Sequence, residues 1–244
     1  MLSLSIIIPT LNEQKCLGKT LSSLNSLEPS PTEIIVVDGG SEDDTLAIAN
    51  NYNVTLVNSP TKGRAVQMNH GAKLAKGDCL CFVHADTLVP NDLVTAIEKT
   101  LENQYIAGGG FVSLMKGCKT TRWGTSLHNY LKTYYAPLLF HPYLFFFKGL
   151  RLLFGDQVMF CRRSNFWKCG GFDPNLPIME DADLCLRLVY YGRIYLVNRM
   201  VESSDRRVAQ WGPFKANLIY LWIGILWGLG VSADYLKQFY ADIR

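Results

Sequence analysis

Cys79-Leu80-Cys81-Phe82-Val83-His84-Ala85-Asp86-Thr87 decides how this chain is read. The stretch opens as a short apolar run, as a strand buried on both faces does. It closes in a polar turn that sets the Asp86 carboxylate at the strand's C-terminal end. Open α/β sheets bind their ligands outside the carboxyl ends of the strands. A carboxylate there can hold a divalent cation, and a hard cation there would bridge a diphosphate. Taken alone, the nonapeptide is more simply a strand that stops in an Asp-Thr turn. The decision rests on its neighbours.

Upstream, the pattern alternates. Leu4 to Ile8 is a β-branched run and reads as a buried strand, followed by the loop Pro9-Thr10-Leu11-Asn12-Glu13. Asn12 is placed to cap a helix whose core face is Leu17, Leu21 and Leu24. Pro29 and Pro31 break that helix. Ile34 to Val37 is a second strand, closed by Asp38-Gly39-Gly40. Ser41 and Asp44 form a capping signal for a helix through Leu46 and Ala49. Val54 to Val57 is a third strand, and Gly63 to Lys76 a helix with Gly77 as its stop. Beyond the quoted stretch, Pro90 opens a helix with Leu93, Ile97, Thr100 and Leu101 on one face. The alternation predicts an α/β protein with a doubly wound, Rossmann-like, mostly parallel sheet flanked by helices. Neither GxGxxG nor GxxxxGK[ST] is present at a strand end, so a nucleotide here must be held by loop side chains. Asp38 could accept the N3–H of uracil or pair with a guanine edge. Pro9, Thr10 and Glu13 line the neighbouring strand end, and Arg64 near a helix start could neutralise phosphate.

Downstream of Gly108-Gly109-Gly110 the pattern loosens, with a strand at Phe111 to Leu114. Arg122 to Arg151 is rich in aromatics and interrupted by Pro137 and Pro142, so it is not a spanning helix. Core helices, a greasy acceptor groove and a membrane-facing lid all remain open for it. Gly155-Asp156-Gln157 leads into a strand, Val158 to Cys161. The turn Gly170-Gly171-Phe172-Asp173-Pro174 feeds Glu180-Asp181-Ala182-Asp183. Three carboxylates at a helix start suit the macrodipole. Asp181, in that first turn, also has the placement a general base needs. Asp183 and Arg187 read as an exposed i,i+4 pair. Leu218 to Val231 is apolar, too short to cross a bilayer comfortably, and weakened by three glycines. A helix there would cover its own domain, a second subunit or a bilayer interface.

Composition narrows the classes. The 244 residues are 48% hydrophobic and 18% charged, which suits a globular chain with extra apolar surface. A net charge of +3 is too small to argue for nucleic acid. Seven cysteines without CxxC spacing favour a reducing, cytosolic compartment. Met1 to Ser5 lacks a basic region before its strand, so no signal peptide is expected.

With these segments placed, the chain resembles the family 2 glycosyltransferases of the GT-A fold over nearly its whole length. Ser5 to Glu13 is similar to the family's opening strand and nucleotide loop. Val36-Val37-Asp38-Gly39-Gly40-Ser41-Glu42-Asp43-Asp44-Thr45 resembles its V-D-x-x-S-x-D-x-T segment. Gly63 to Gly71 resembles its G-x-A-x-x-x-N-x-G helix, and His84-Ala85-Asp86 sits where its D-x-D motif sits. Gly171-Phe172-Asp173 with Glu180 to Asp183 resembles the acceptor-side motif. In Phe82-Val83-His84-Ala85-Asp86-Thr87, Gly155-Asp156-Gln157 and Arg206-Arg207 with Trp211, the chain further resembles the bacterial radical-SAM/selenodomain-associated transferases.

The resemblance implies an inverting transfer of a sugar from a nucleoside-diphosphate sugar, UDP before GDP, to a small-molecule or lipid acceptor. Asp86 would bind Mg²⁺ or Mn²⁺. Pro9, Thr10, Asn12, Glu13, Asp38, Gly39, Ser41, Arg64, Gln67, Asn69, His84 and Ala85 would form the nucleotide side. Asp181 would deprotonate the acceptor with Glu180 beside it. Asp156, Gln157, Arg206, Arg207 and Trp211 would face donor sugar or acceptor. His84 departs from the pattern, standing where the family has its first Asp; it removes one negative charge and suits a supporting hydrogen-bond role more than ligation. The implied organisation is a catalytic domain over 1–212, with a nucleotide half at 1–103 and an acceptor half at 104–212. An apolar helical segment at 213–244 follows. The implied location is cytoplasmic or at the inner face of the membrane, with homo-oligomerisation open. A peripheral-membrane transferase acting on a polyprenyl phosphate or other lipid is one alternative, and a non-catalytic nucleotide-sugar-binding module is another. A nucleotidyltransferase would need a Gly-rich, basic loop in place of Pro9 to Glu13.

Overall fold

Strands β1 (Leu4–Thr10), β2 (Glu33–Asp38), β3 (Thr55–Asn58) and β4 (Cys79–Phe82) form the parallel half of the sheet. The helices between them are α1 (Leu17–Asn25), α2 (Thr45–Ala49) and α3 (Arg64–Leu74). The computed structural model describes residues 2–117 and 120–240. The chain continues through β5 (Thr87–Leu88), α4 (Leu93–Glu102), β6 (Ile106–Lys116), α5 (Trp123–Phe140), β7 (Met159–Arg162), α6 (Arg163–Lys168) and α7 (Glu180–Leu188). It ends through β8 (Arg193–Ser204), α8 (Arg206–Trp211), α9 (Pro213–Gly228) and α10 (Ala233–Lys237). The described residues form one eight-stranded sheet in the order β3-β2-β1-β4-β7-β6-β8-β5. β7 runs antiparallel to β4 and β6, and β5 antiparallel to β8.

Side chains alternate across a strand, and both faces of this sheet are covered. Leu4, Ile6 and Ile8 of β1 pack with Leu17, Leu21 and Leu24 of α1 and Leu93, Ile97 and Leu101 of α4. Ile7, Val37 and Phe82 turn the other way, onto Ala65, Met68 and Ala72 of α3 and Ala182 and Leu188 of α7. Each buried Leu, Ile, Val, Met or Phe among them contributes roughly 1.5–3 kcal/mol. Cys79 and Cys81 both face the first of these clusters.

Several expectations are corrected. The three glycines lie inside β6, which starts at Ile106. A Cβ at Gly108 would stand 2.5 Å from the Phe160 carbonyl oxygen, so close strand contact demands glycine there. Helix α3 ends at Leu74, before Gly77, because Ala75 is already extended. Asn12 does not cap α1: its N–H donates to Ser41 Oγ at 2.9 Å and its Oδ1 accepts from the Glu42 N–H at 2.9 Å. It pins one nucleotide-side loop to the next. Ser41 and Asp44 make no side-chain cap on α2, because Ser41 Oγ is spent on Asp38.

Pro137 lies inside α5, which runs through it to Phe140. Helix α9 starts five residues before the expected Leu218, with Pro213 in its first turn, and ends at Gly228. Residues 241–244 of the expected C-terminal segment lie outside the described residues. Ala216, Tyr220 and Ile223 of α9 are buried, whereas Phe214, Leu218 and Trp222 are exposed. Among the described residues no helix is long and apolar enough to cross a membrane.

Candidate active site

A cavity of about 630 Å³ opens at the C-terminal ends of β1 and β4. Pro9, Thr10 and Glu13 line it from the first strand end, His84, Ala85 and Asp86 from the fourth. Arg64 and Gln67 of α3, Asp156, Asp181 of α7, and Arg206 and Arg207 of α8 close the ring. Most of the residues expected at the site are therefore together.

Others from the same motifs are spent inside the fold. Asp38 is 1% exposed. Its carboxylate accepts from the N–H groups of Gly40 at 2.7 Å and Ser41 at 2.8 Å, and from Ser41 Oγ at 2.5 Å. It holds the β2 turn and does not line the cavity, and neither do Gly39 and Ser41. Gln67, although it lines the cavity, spends its Nε2 on the carbonyls of Thr10 at 2.7 Å and Val37 at 2.8 Å, clamping β1 to β2. Asn69 takes both backbone groups of Phe172, donating at 2.7 Å and accepting at 2.9 Å. Gln157 is buried against Thr133 and the Phe154 N–H. Trp211 packs tilted against Tyr220 and edge-on against Tyr240, outside the cavity lining.

The carboxylate run opens α7 after Met179, whose left-handed φ of 68° turns the chain into the helix. Glu180 is 1% exposed and bonds the Arg64 guanidinium. Burial works to raise the Glu180 carboxyl, but Arg64 outweighs it and holds it below the usual range. For Arg64 itself, burial opposes the charge, and Glu180 and Asp181 more than restore it. Asp181 is 5% exposed, 3.8 Å from Arg64 Nη2. Burial, then the Glu180 charge, pushes Asp181 up to about 7, against the pull of Arg64. A carboxylate poised there can take a proton at neutral pH. The Asp183–Arg187 pair is half-buried, not exposed. Arg187 also donates to the carbonyls of Cys169 at 2.6 Å and Gly171 at 2.7 Å, so the pair secures the glycine turn ahead of α7.

At the facing strand end, the β5–β8 pairing sets Thr87 opposite Ser203 and so delivers α8 to the Asp86 turn. Arg206 bridges Asp86 Oδ2 at 2.8 Å and Glu13 Oε2 at 3.0 Å. Burial disfavours the Arg206 charge, but these two carboxylates raise it well above its ordinary range. Burial, reinforced by Arg64, lowers His84 to about 4, so its ring is neutral at pH 7. A Cβ on Gly155 would lie 2.6 Å from His84 Nε2 and 3.1 Å from Asp181 Oδ2. Glycine at 155 is what lets these two groups approach.

Among the described residues no three His, Cys, Asp or Glu side chains are grouped to hold an ion. Asp86 and Glu13, sharing one cationic partner, nevertheless make a place built for positive charge. Mg²⁺ takes one or two carboxylates and completes its shell with waters and substrate phosphates, so this donor set fits a cation held jointly with a diphosphate. Sequence reasoning missed Asn129 and Lys132, which line the cavity from α5. Lys132 is the single Asp, Glu, Lys or Arg among the 18 residues of α5, and that was the available signal.

The family model described as "Glycosyl transferase family 2" matches residues 5–170. An uncharacterized glycosyltransferase of Bacillus subtilis (strain 168), YfnE, is 37% identical over 106 residues, 41% of this chain and 27% of that protein. The PGL/p-HBAD biosynthesis glycosyltransferase Rv2957 of Mycobacterium tuberculosis is 28% identical over 194 residues, 75% of this chain and 68% of the relative. The chain thus spans between about a quarter and two thirds of these curated relatives. Among solved structures, glucosyl-3-phosphoglycerate synthase from M. tuberculosis, in complex with Mn²⁺, UDP and phosphoglyceric acid, superimposes with a TM-score of 0.66 at 18% identity. It covers 94% of this chain and 79% of that one. The likeness establishes the GT-A fold.

Proposed function

Because this chain belongs to glycosyl transferase family 2, we propose that it moves a sugar from a nucleoside-diphosphate sugar to an acceptor hydroxyl with inversion, Asp181 acting as general base. The observation that carries the reading is the Asp181 carboxylate, 5% exposed and facing the same cavity as Asp86, in a buried setting beside Glu180 that pushes it up to about 7. The acceptor oxygen attacks the anomeric carbon and its proton passes to Asp181. The bond from that carbon to the diphosphate breaks, and the nucleoside diphosphate leaves with the electron pair. Asp86, with Glu13 beside it, would hold Mg²⁺ or Mn²⁺, which supplies positive charge to the leaving diphosphate. Arg206 then exchanges a carboxylate for a phosphate partner. His84, neutral at pH 7, adds no charge beside Asp86. Asp38, Gln67 and Asn69 shape the nucleotide loops from behind. Residues 1–103 form the nucleotide half and 104–212 the acceptor half, from which Arg206 reaches back to the phosphates.

UDP is the favoured donor nucleotide, supported by the UDP bound in the mycobacterial synthase of the same fold. The narrower kinship with the radical-SAM/selenodomain-associated transferases is supported by His84-Ala85-Asp86-Thr87, Gly155-Asp156-Gln157 and Arg206-Arg207. The deciding experiment is a melting-temperature screen of UDP, GDP and their sugars with and without Mn²⁺, followed by nucleoside-diphosphate release. Ligand at ~100 times its Kd should add roughly 2.7 kcal/mol. No shift with any nucleoside diphosphate would refute the donor assignment.

A second reading, transfer to a lipid at the membrane surface, is favoured by the exposed apolar side chains of α5 and α9. Leu127, Leu131, Leu138, Phe214, Leu218 and Trp222 are all more than a third exposed. Flotation with anionic liposomes distinguishes it from transfer to a soluble acceptor.

A further inference from the structure

Lys132 has no part in the transfer chemistry above, yet it is the side chain whose position asks most of the fold. It sits in the middle of α5 and is 8% exposed. Its ammonium lies 3.6 Å from the centroid of the Phe154 ring and 5.8 Å from that of Tyr220. Among the described residues it has no hydrogen bond and no ion pair; Asp156 supplies the nearest negative charge, beyond ion-pair distance. One turn earlier, Asn129 is 3% exposed. Its Nδ2 donates to Asp156 Oδ2 at 2.9 Å, while its Oδ1 is a buried acceptor with no donor. Both side chains line the cavity that Asp181 faces.

Two buried groups with opposite needs stand side by side. An ammonium held by aromatic faces is stabilised in part, but its N–H donors still lack acceptors. A buried amide oxygen without a donor is costly in the same way. Burial already pushes Lys132 down to about 8. Residues three apart on a helix are neighbours, with Cβ atoms about 5–6 Å apart. A small molecule in the cavity can meet the need of Lys132 with an oxyanion, while Asn129 Oδ1 stays closed to solvent and Asn129 Nδ2 fixes Asp156 beside that place.

We propose that the part of the cavity between α5, Phe154 and Tyr220 is the acceptor subsite, and that it takes a small hydroxylated acceptor bearing an oxyanion, a carboxylate or a phosphate. The inference rests on the glycosyltransfer reading and names the substrate class for the same site. Phe154 and Tyr220 enclose the carbon skeleton and Lys132 binds the oxyanion. A hydroxyl is left to meet Asp181. Arg207, on the same cavity wall, adds positive charge to that end.

The test measures binding of glycerol 3-phosphate, glycerate and uncharged glycerol by calorimetry, each with and without UDP and Mn²⁺. The same titrations are made on Lys132→Met, which keeps the apolar stem and loses the charge. The wild-type protein should bind one or both anions and not glycerol. Lys132→Met should lose roughly tenfold to a hundredfold in anion affinity, the range for hydrogen bonds to a charged group, with UDP affinity unchanged. The phosphate and carboxylate arms identify which oxyanion is preferred. Anions that bind no better than glycerol, or that bind Lys132→Met as well as wild type, overturn the proposal. Failure of UDP to bind at all refutes the transfer reading instead, and the nucleotide-free arms then decide the oxyanion site by themselves.

Discussion

Asp181→Asn separates catalysis from stability, because the burial that tunes the base also costs the fold. Asn is nearly isosteric but cannot accept the acceptor's proton. Loss of a positioned general base should lower transfer by about 10²–10⁴-fold. The carboxyl rises from 3.8 to about 7 on folding. Between those values the folded chain binds more protons than the unfolded one, so stability falls as pH rises through that window. A shift of that size corresponds to on the order of 4 kcal/mol. The Asn variant has no such cost. It should be more stable than wild type at about pH 8, by up to that amount, and converge with it below about pH 4. Wild-type transfer should rise with pH through about 7 as Asp181 ionises, and the residual activity of the variant should lack that limb. Nucleoside-diphosphate release against pH and urea denaturation at both pH extremes give the two readouts. A variant with wild-type transfer places the base elsewhere. A variant with wild-type stability at both extremes means that Asp181 is not held in the desolvated state described.

Asp86→Ala should bind UDP without the Mn²⁺ enhancement seen in wild type; a melting shift still increased by metal would exclude Asp86 as the ligand. Arg206→Met leaves Asp86 and Glu13 without their shared cation and, at this partial exposure, should cost about 1–3 kcal/mol. Mn²⁺ should recover more stability in that variant than in wild type, read by melting with and without the ion. Gly155→Ala drives a methyl into His84 and Asp181, and a displacement of the base of this kind costs on the order of 10²-fold in kcat/KM. Its urea midpoint should fall modestly, and unchanged kinetics would show that the His84–Asp181 approach is not needed.

The strand–helix alternation of the first hundred residues was legible because its causes are local. β-branched runs form buried strands, and i,i+4 leucines form helix faces. The C-terminal half was harder. β6 carries Gly108 and Gly109 where strand propensity is poor, and only the close passage of β7 and β8 explains them. Motif position located the cavity residues Pro9, Thr10, Glu13, Arg64, His84, Asp86, Asp156, Asp181, Arg206 and Arg207. It could not tell how Asp38, Gln67, Asn69 and Gln157 spend their hydrogen bonds. A polar side chain at a strand end serves ligand or loop equally well by type, and the geometry of nearby backbone groups decides between them.

By itself, the sequence determined that an α/β sheet would present carboxylates at its strand ends, because hydrophobic period and turn chemistry are written residue by residue. Only the tertiary structure decided which charges meet. Arg64 reaches Glu180 across 116 positions, and Arg206 reaches Asp86 across 120. Lys132 is buried, with no ion pair among the described residues, because tertiary packing sets its ammonium beside the rings of Phe154 and of Tyr220 from α9. Electrostatic pairing and desolvation depend on distance in space. The chain's local pattern carries no record of that distance until the sheet order and helix packing set it.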